Sequence, residues 1–144
     1  MNDASRPFSV DHARVVAAIL AAELKTSREI RVLVSRHRTT DPVADAQRHF
    51  ERLGMTRTAA RNGVLFFLAP RSRAFAVIGD AAIHARCGDG FWREVADAVS
   101  DHFRRGDFTG GLVHGIGRAA TLLAEHFPRS LDDRNELPDT IEED

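Results

Sequence analysis

A chain of 144 residues, 43% apolar and 28% charged, has ordinary globular composition and enough length for one domain with a real core. Its formal net charge of −1 excludes an overall field that would draw it onto nucleic acid or a membrane surface. Its one cysteine, Cys87, excludes an internal disulfide and suits a reducing, cytoplasmic compartment.

The opening MNDASRPFSV carries no apolar signal core, and no stretch approaches membrane-spanning length, so neither a leader nor membrane insertion is expected. FSVDHARVVAAILAAELKTS predicts a helix over about 10–25, capped by Ser9 or Asp11, with Val16, Ile19, Leu20 and Leu24 as its stripe. REIRVLVSR follows, with Ile30, Val32 and Val34 alternating against Arg31, Leu33 and Ser35, the pattern of a half-covered strand. Asp41-Pro42 combines a capping carboxylate with proline at the first helical position. Val43, Ala46, Phe50 and Leu53 form the inner face of that helix and Gly54 stops it.

VLFFLA and AFAVIG are continuous apolar runs, as in strands covered on both faces. Pro70 suits the second position of a tight turn, which makes 63–79 an antiparallel hairpin. Asp80 then caps a short helix to about Cys87, and Gly88 stops it. Asp89 caps the next, with Trp92, Val95, Val99 and Phe103 inward and Gly106 as its stop. Asp107 or Thr109 opens the last helix, whose inner residues are Leu112, Ile116, Ala120, Leu123 and Phe127. In it Gly111 and Gly115 permit close approach to a neighbour. The expectation is an α/β fold: helices on both faces of a central mixed sheet, in a single domain over 1–128.

RSLDDRNELPDTIEED, residues 129–144, lacks an apolar stripe and reads as an irregular acidic tail. Charge is uneven along the chain. Residues 28–73 hold ten arginines against four acids, whereas the tail holds two arginines against seven acids. The tail is therefore either simply solvated or folded back toward Arg36, Arg38 and Arg61, although exposed pairs contribute little.

Gly79-Asp80 stands at the end of a buried strand and the start of a helix, where open α/β sheets place ligands. Asp80 is a cap, or a cap whose free oxygen takes a hard cation. The hairpin brings Asn62 beside Asp80, so their oxygens can share one cation, and Arg61 can instead hold a phosphate or carboxylate. Asp89 and Asp107 are turn or cap residues that become metal ligands only if they gather with Asp80. The Asp-x-Asp-x-Asp-Gly spacing of a calcium loop is missing.

Cys87 to Arg93, CGDGFWR, has the Cys-x5-Arg spacing of cysteine-dependent phosphatases. The cysteine follows a helix rather than a strand, and Asp89 sits inside the would-be phosphate cradle, so a buried inert thiol is the favoured reading. The seven histidines are singles with no metal-site spacing. No nucleophile elbow or Gly-Lys-Ser phosphate loop is present, and no organic cofactor is expected.

The blocks TRTAARNGVLFFLAPRSRAFAVIGDAAI, GFWREVADAVSDHFRRGDFTGGLVHGI, LLAEHFP and NELPDTI, with AAELKTSREIRVLV near the start, resemble the TPM domain family in order and spacing. The chain is similar to its stand-alone, signal-free bacterial branch. The resemblance implies a three-layer α/β/α sandwich. It also implies calcium or another divalent cation as a ligand of some members and a phosphatase label for part of the family. Three readings follow. The first is a domain that binds a divalent cation (calcium or magnesium) or a small anionic ligand at a rim formed by Arg61, Asn62, Gly79 and Asp80, with Asp89 and Asp107 as further metal ligands. The second is a metal-assisted phosphatase, and the third a non-catalytic module for a protein partner.

Overall fold

The two apolar runs lie next to one another in a four-stranded mixed sheet. The computed structural model describes residues 10–55, 63–129 and 141–143, apart from the side chains of Asp89, Glu142 and Glu143. Its elements are α1 (His12–Glu23), β1 (Glu29–Val34), α2 (Pro42–Arg52), β2 (Gly63–Ala69), β3 (Ala74–Gly79), α3 (Ala81–Arg104), α4 (Phe108–His126) and β4 (Ile141–Glu143). Strand order is β3-β2-β1-β4. β2 and β3 form the expected antiparallel hairpin, with Val64 opposite Gly79 and Ala69 opposite Ala74. A 3-10 turn, Pro70–Ser72, closes it, and Arg73 leaves that turn in the left-handed conformation. β1 runs parallel to both β2 and β4.

Every residue of β2 is buried, which accounts for its unbroken apolar sequence. Alternate strand residues face two cores. Ile30, Val32, Val64, Phe66 and Leu68 meet the larger one, built with α1, α3 and α4. Leu33, Leu65, Phe67, Ala69 and Ala76 meet the smaller one, where Ala46 and Phe50 of α2 and Met55 after it cover the opposite face. The result is a three-layer α/β/α sandwich.

An aspartate caps each of the four α-helices. Asp11, Asp41, Asp80 and Asp107 accept the amide N–H of Arg14, Ala44, Ile83 and Gly110 respectively. One orphan first-turn donor of each helix thereby gains a partner, worth about 1 kcal/mol per cap. Thr109, the alternative opener of the last helix, accepts the N–H of Asp11 instead, tying the starts of α1 and α4 together. Gly88 interrupts α3 at φ 70°, ψ −173°, so the anticipated stop and restart survive as a kink in one element. α4 approaches α3 closely, as Gly111 and Gly115 suggest. A Cβ on Gly111 would lie 2.5 Å from Phe103 atoms, and one on Gly115 would lie 2.4 Å from Val99 Cγ2.

Four expectations need correction. The buried stripe of α1 is Val15, Ile19 and Ala22 with Glu23, while Leu20 and Leu24 are 48% and 73% exposed. Val43 is exposed rather than inward. β1 is covered on both faces, because Ile30 and Val32 meet the larger core and Leu33 the smaller one, and the chain there buries Glu29, Arg31 and Ser35 as well. The tail supplies a strand, as residues 141–143 pair with Val32–Val34. Among the described residues no helix is long and apolar enough to cross a membrane.

Candidate functional site

Asp80 follows β3 and opens α3, so two rigid elements fix it. Its amide donates to the Gly63 carbonyl at 3.1 Å, which brings the end of β3 beside the start of β2. Its Oδ1 accepts the Ile83 N–H at 3.0 Å. The residue is only 7% exposed, and its Oδ2 is buried without a hydrogen-bond partner among the described residues. Burial pushes the carboxyl pKa above its usual value, against the Ile83 amide and the Arg28 charge, which both favour the anion.

The neighbouring rim is rich in charge. Arg28 lies 3.7 Å from the centre of the Phe127 ring, a cation–π contact. Glu23 turns inward from α1, and its Oε2 accepts the Ile30 N–H at 3.1 Å. Arg129 donates to the Glu23 carbonyl, while Thr26 Oγ1 donates to the Phe127 carbonyl at 2.6 Å. These contacts bind the two ends of the domain together at the edge that carries Asp80. REIR contains the signal for this rim. Leu33 shares a face of β1 with Arg31, so a strand that buries one buries the other.

This edge is the amino end of the parallel strands. β3 runs antiparallel, so its carboxyl end lies where β1 and β2 begin. The rule that places ligands at the carboxyl ends of parallel strands therefore does not reach Asp80. What distinguishes the position is its second oxygen. Gly79 serves packing, since a Cβ there would come within 2.5 Å of the Trp92 ring. That ring donates its Nε1–H to His84 Nδ1 at 3.1 Å. Arg61 and Asn62 lie outside the described residues, as does the Asp89 side chain.

Asp107 does not gather with Asp80. Its Oδ1 caps α4 and its Oδ2 lies 3.1 Å from His102 Nδ1. The adjoining end of α3 sits at the start of β3, where Phe103 packs on Phe75 and Arg73 donates to the Arg104 carbonyl. Asp80 is at the other end of that six-residue strand, about 20 Å away at the usual rise. Among the described residues no three His, Cys, Asp or Glu side chains come together to hold a metal. Cys87 is partly buried, and burial raises its thiol pKa despite Arg28 and Arg86. A phosphatase nucleophile needs the opposite shift.

Fold and rim together define a small α/β/α domain with a mixed sheet and a buried, half-satisfied carboxylate at the entry to its longest helix. The chain belongs to the TPM domain family, whose model matches residues 2–122. It is similar to the BA42 protein of the psychrophilic bacterium Bizionia argentinensis. That NMR structure is 38% identical and has a TM-score of 0.86 over 92% of each chain. A P. gingivalis protein's N-terminal domain matches at 20% identity and TM-score 0.67, over 85% of this chain and 81% of that one. The N-terminal domain of the cg2496 protein from Corynebacterium glutamicum matches at 17% and 0.61, over 76% and 68%. These last two show a shared fold alone. No curated protein matches the sequence.

Proposed function

We propose that this protein is a binding domain whose rim at Asp80 takes one divalent cation, calcium or magnesium, with low affinity. The observation that carries the reading is the buried Oδ2 of Asp80, which has no hydrogen-bond partner among the described residues while Oδ1 is committed to the helix. A carboxylate oxygen withdrawn from water without a partner is costly, and a hard cation is the partner its chemistry suits. Asp80 supplies one carboxylate, so backbone carbonyls and water would fill most of the coordination shell. The Arg28 charge opposes the ion. Both features set the affinity toward the millimolar end of the protein range.

Calcium and magnesium are titrated separately into the full chain while amide shifts are followed. The expected result is saturable movement at Gly63, Gly79 and Ala81, absent from Asp80→Asn, which keeps the helix cap and removes the charge. No movement up to about 10 mM metal, beyond the weakest range for such sites, removes the reading. Equal movement in the variant moves the site elsewhere.

A further inference from the structure

β3 forms one margin of the sheet and, among the described residues, has a ladder only with β2. The Asp80 amide bonds to the Gly63 carbonyl, so 80 and 63 are a hydrogen-bonded pair. Alternation along the register then turns residues 74, 76 and 78 toward β2. The N–H and C=O groups of Phe75, Val77 and Gly79 face away from it. The strand, AFAVIG, contains no charge and no proline, the devices that usually blunt an open edge.

The amino end of this edge opens into a cavity of about 320 Å³ lined by Arg73, Phe75, Ser100, Phe103 and Arg104. Phe75 and Phe103 meet edge to face at 5.0 Å and give it an apolar floor. Arg73 and Arg104 are exposed. Arg73 Nη1 donates to the Arg104 carbonyl at 3.3 Å, which holds the guanidinium over the last turn of α3. Arg73 is the one described residue other than glycine with a positive φ, 47°, an unfavourable conformation for a long side chain. Asp101 pairs with Arg104 Nη1 at 3.2 Å but is largely exposed, so it offsets little of the positive charge.

We propose that β3 and this cavity dock an extended peptide, which adds a strand antiparallel to β3. The peptide places its last, apolar side chain on the Phe75–Phe103 pair and its terminal carboxylate between Arg73 and Arg104. An antiparallel strand ends where β3 begins, so direction and charge agree. Three outward N–H and C=O pairs repeat every two residues, about 7 Å, a spacing that an extended backbone matches along its length. Forked guanidinium groups suit a carboxylate.

The probe is a fluorescein-labelled Thr-Val-Thr-Val-Thr-Leu peptide with a free carboxyl terminus, read by anisotropy and amide exchange on the full chain. Binding should slow exchange at Phe75, Val77 and Gly79. Amidating the terminus should weaken it about tenfold, the scale of a charge-assisted bond. N-methylating the alternate residues that face β3 should weaken it at least as much. Arg73→Asn, which tolerates positive φ, and Arg104→Gln should each weaken it while leaving the melting transition in place. No saturable binding up to about 1 mM, a free energy of roughly 4 kcal/mol, overturns the proposal. Binding indifferent to N-methylation also does, because it reduces the site to an anion contact. So does a stable dimer of the chain that excludes the peptide from β3.

Discussion

Asp80 and Asp107 perform the same task at the starts of α3 and α4, yet their surroundings push their acidities apart. The Asp107 carboxyl is held below its usual pKa by the Gly110 amide and by His102. Its stabilising contribution is present above the unfolded value and is lost as pH falls through the folded one. Burial raises the Asp80 carboxyl above its usual pKa. Its contribution is complete below the unfolded value and is lost as pH rises through the folded one, so at neutral pH the buried anion weighs against the fold. Asparagine caps about as well as aspartate, which isolates the charge. With chelator present, Asp80→Asn should be at least as stable as the wild type at pH 7, and its advantage should close toward pH 4. Asp107→Asn should be less stable at pH 7, and its deficit should close with acid. Urea midpoints between pH 3 and 7 measure both. A loss of about 1 kcal/mol or more in Asp80→Asn at pH 7 would mean that Oδ2 has a protein partner.

At the scale of elements, local rules carried some positions and tertiary contacts decided others. Asp41, Asp80 and Asp107 were legible as caps, because each precedes an apolar-periodic segment. Gly88 was legible as a break because CGDG cannot favour an unbroken helix. The stripe of α1 was not legible: nine of its twelve residues are apolar, so periodicity alone does not choose a face. The β4 pairing that covers β1 depends on contact between distant parts of the chain, as does the burial of Asp80, so neither appears in a local pattern. The kink supplies a test. Gly88 lies at φ 70°, ψ −173°, a region essentially open only to glycine, and a Cβ there would meet nothing within 4 Å. The penalty of Gly88→Ala is therefore backbone strain, about 1–3 kcal/mol. Gly117, inside α4 with equally open space around it, should instead gain about 0.5–1 kcal/mol on replacement by alanine. Denaturant unfolding compares the two variants. A neutral Gly88→Ala would mean that α3 straightens freely and the kink has no structural role.

Across the whole molecule the sheet divides two unequal cores, and its two margins end differently. Among the described residues β3 has no strand on its outer side, whereas β4 closes β1 through three residue pairs, and Ile141 packs on the larger core. Two forces can hold that last strand: the ladder with its partly buried isoleucine, or attraction between an acidic tail and the arginine-rich stretch over 28–73. Exposed charge pairs contribute little and are screened by salt, while burying much of an isoleucine contributes roughly 1–2 kcal/mol and salt does not screen it. The ladder and Ile141 should therefore dominate. Ile141→Ser should accelerate hydrogen exchange at the β1 amides that face β4 and lower stability by roughly 1–2 kcal/mol. Glu142→Gln with Glu143→Gln, or about 1 M salt, should leave those amides protected. Truncation before Ile141 should reproduce the Ile141→Ser result and add self-association, because it turns β1 into an open edge beside a buried apolar strand. Release of the strand by salt alone, with Ile141→Ser silent, would reverse the ranking and make charge the force that closes this side of the sheet.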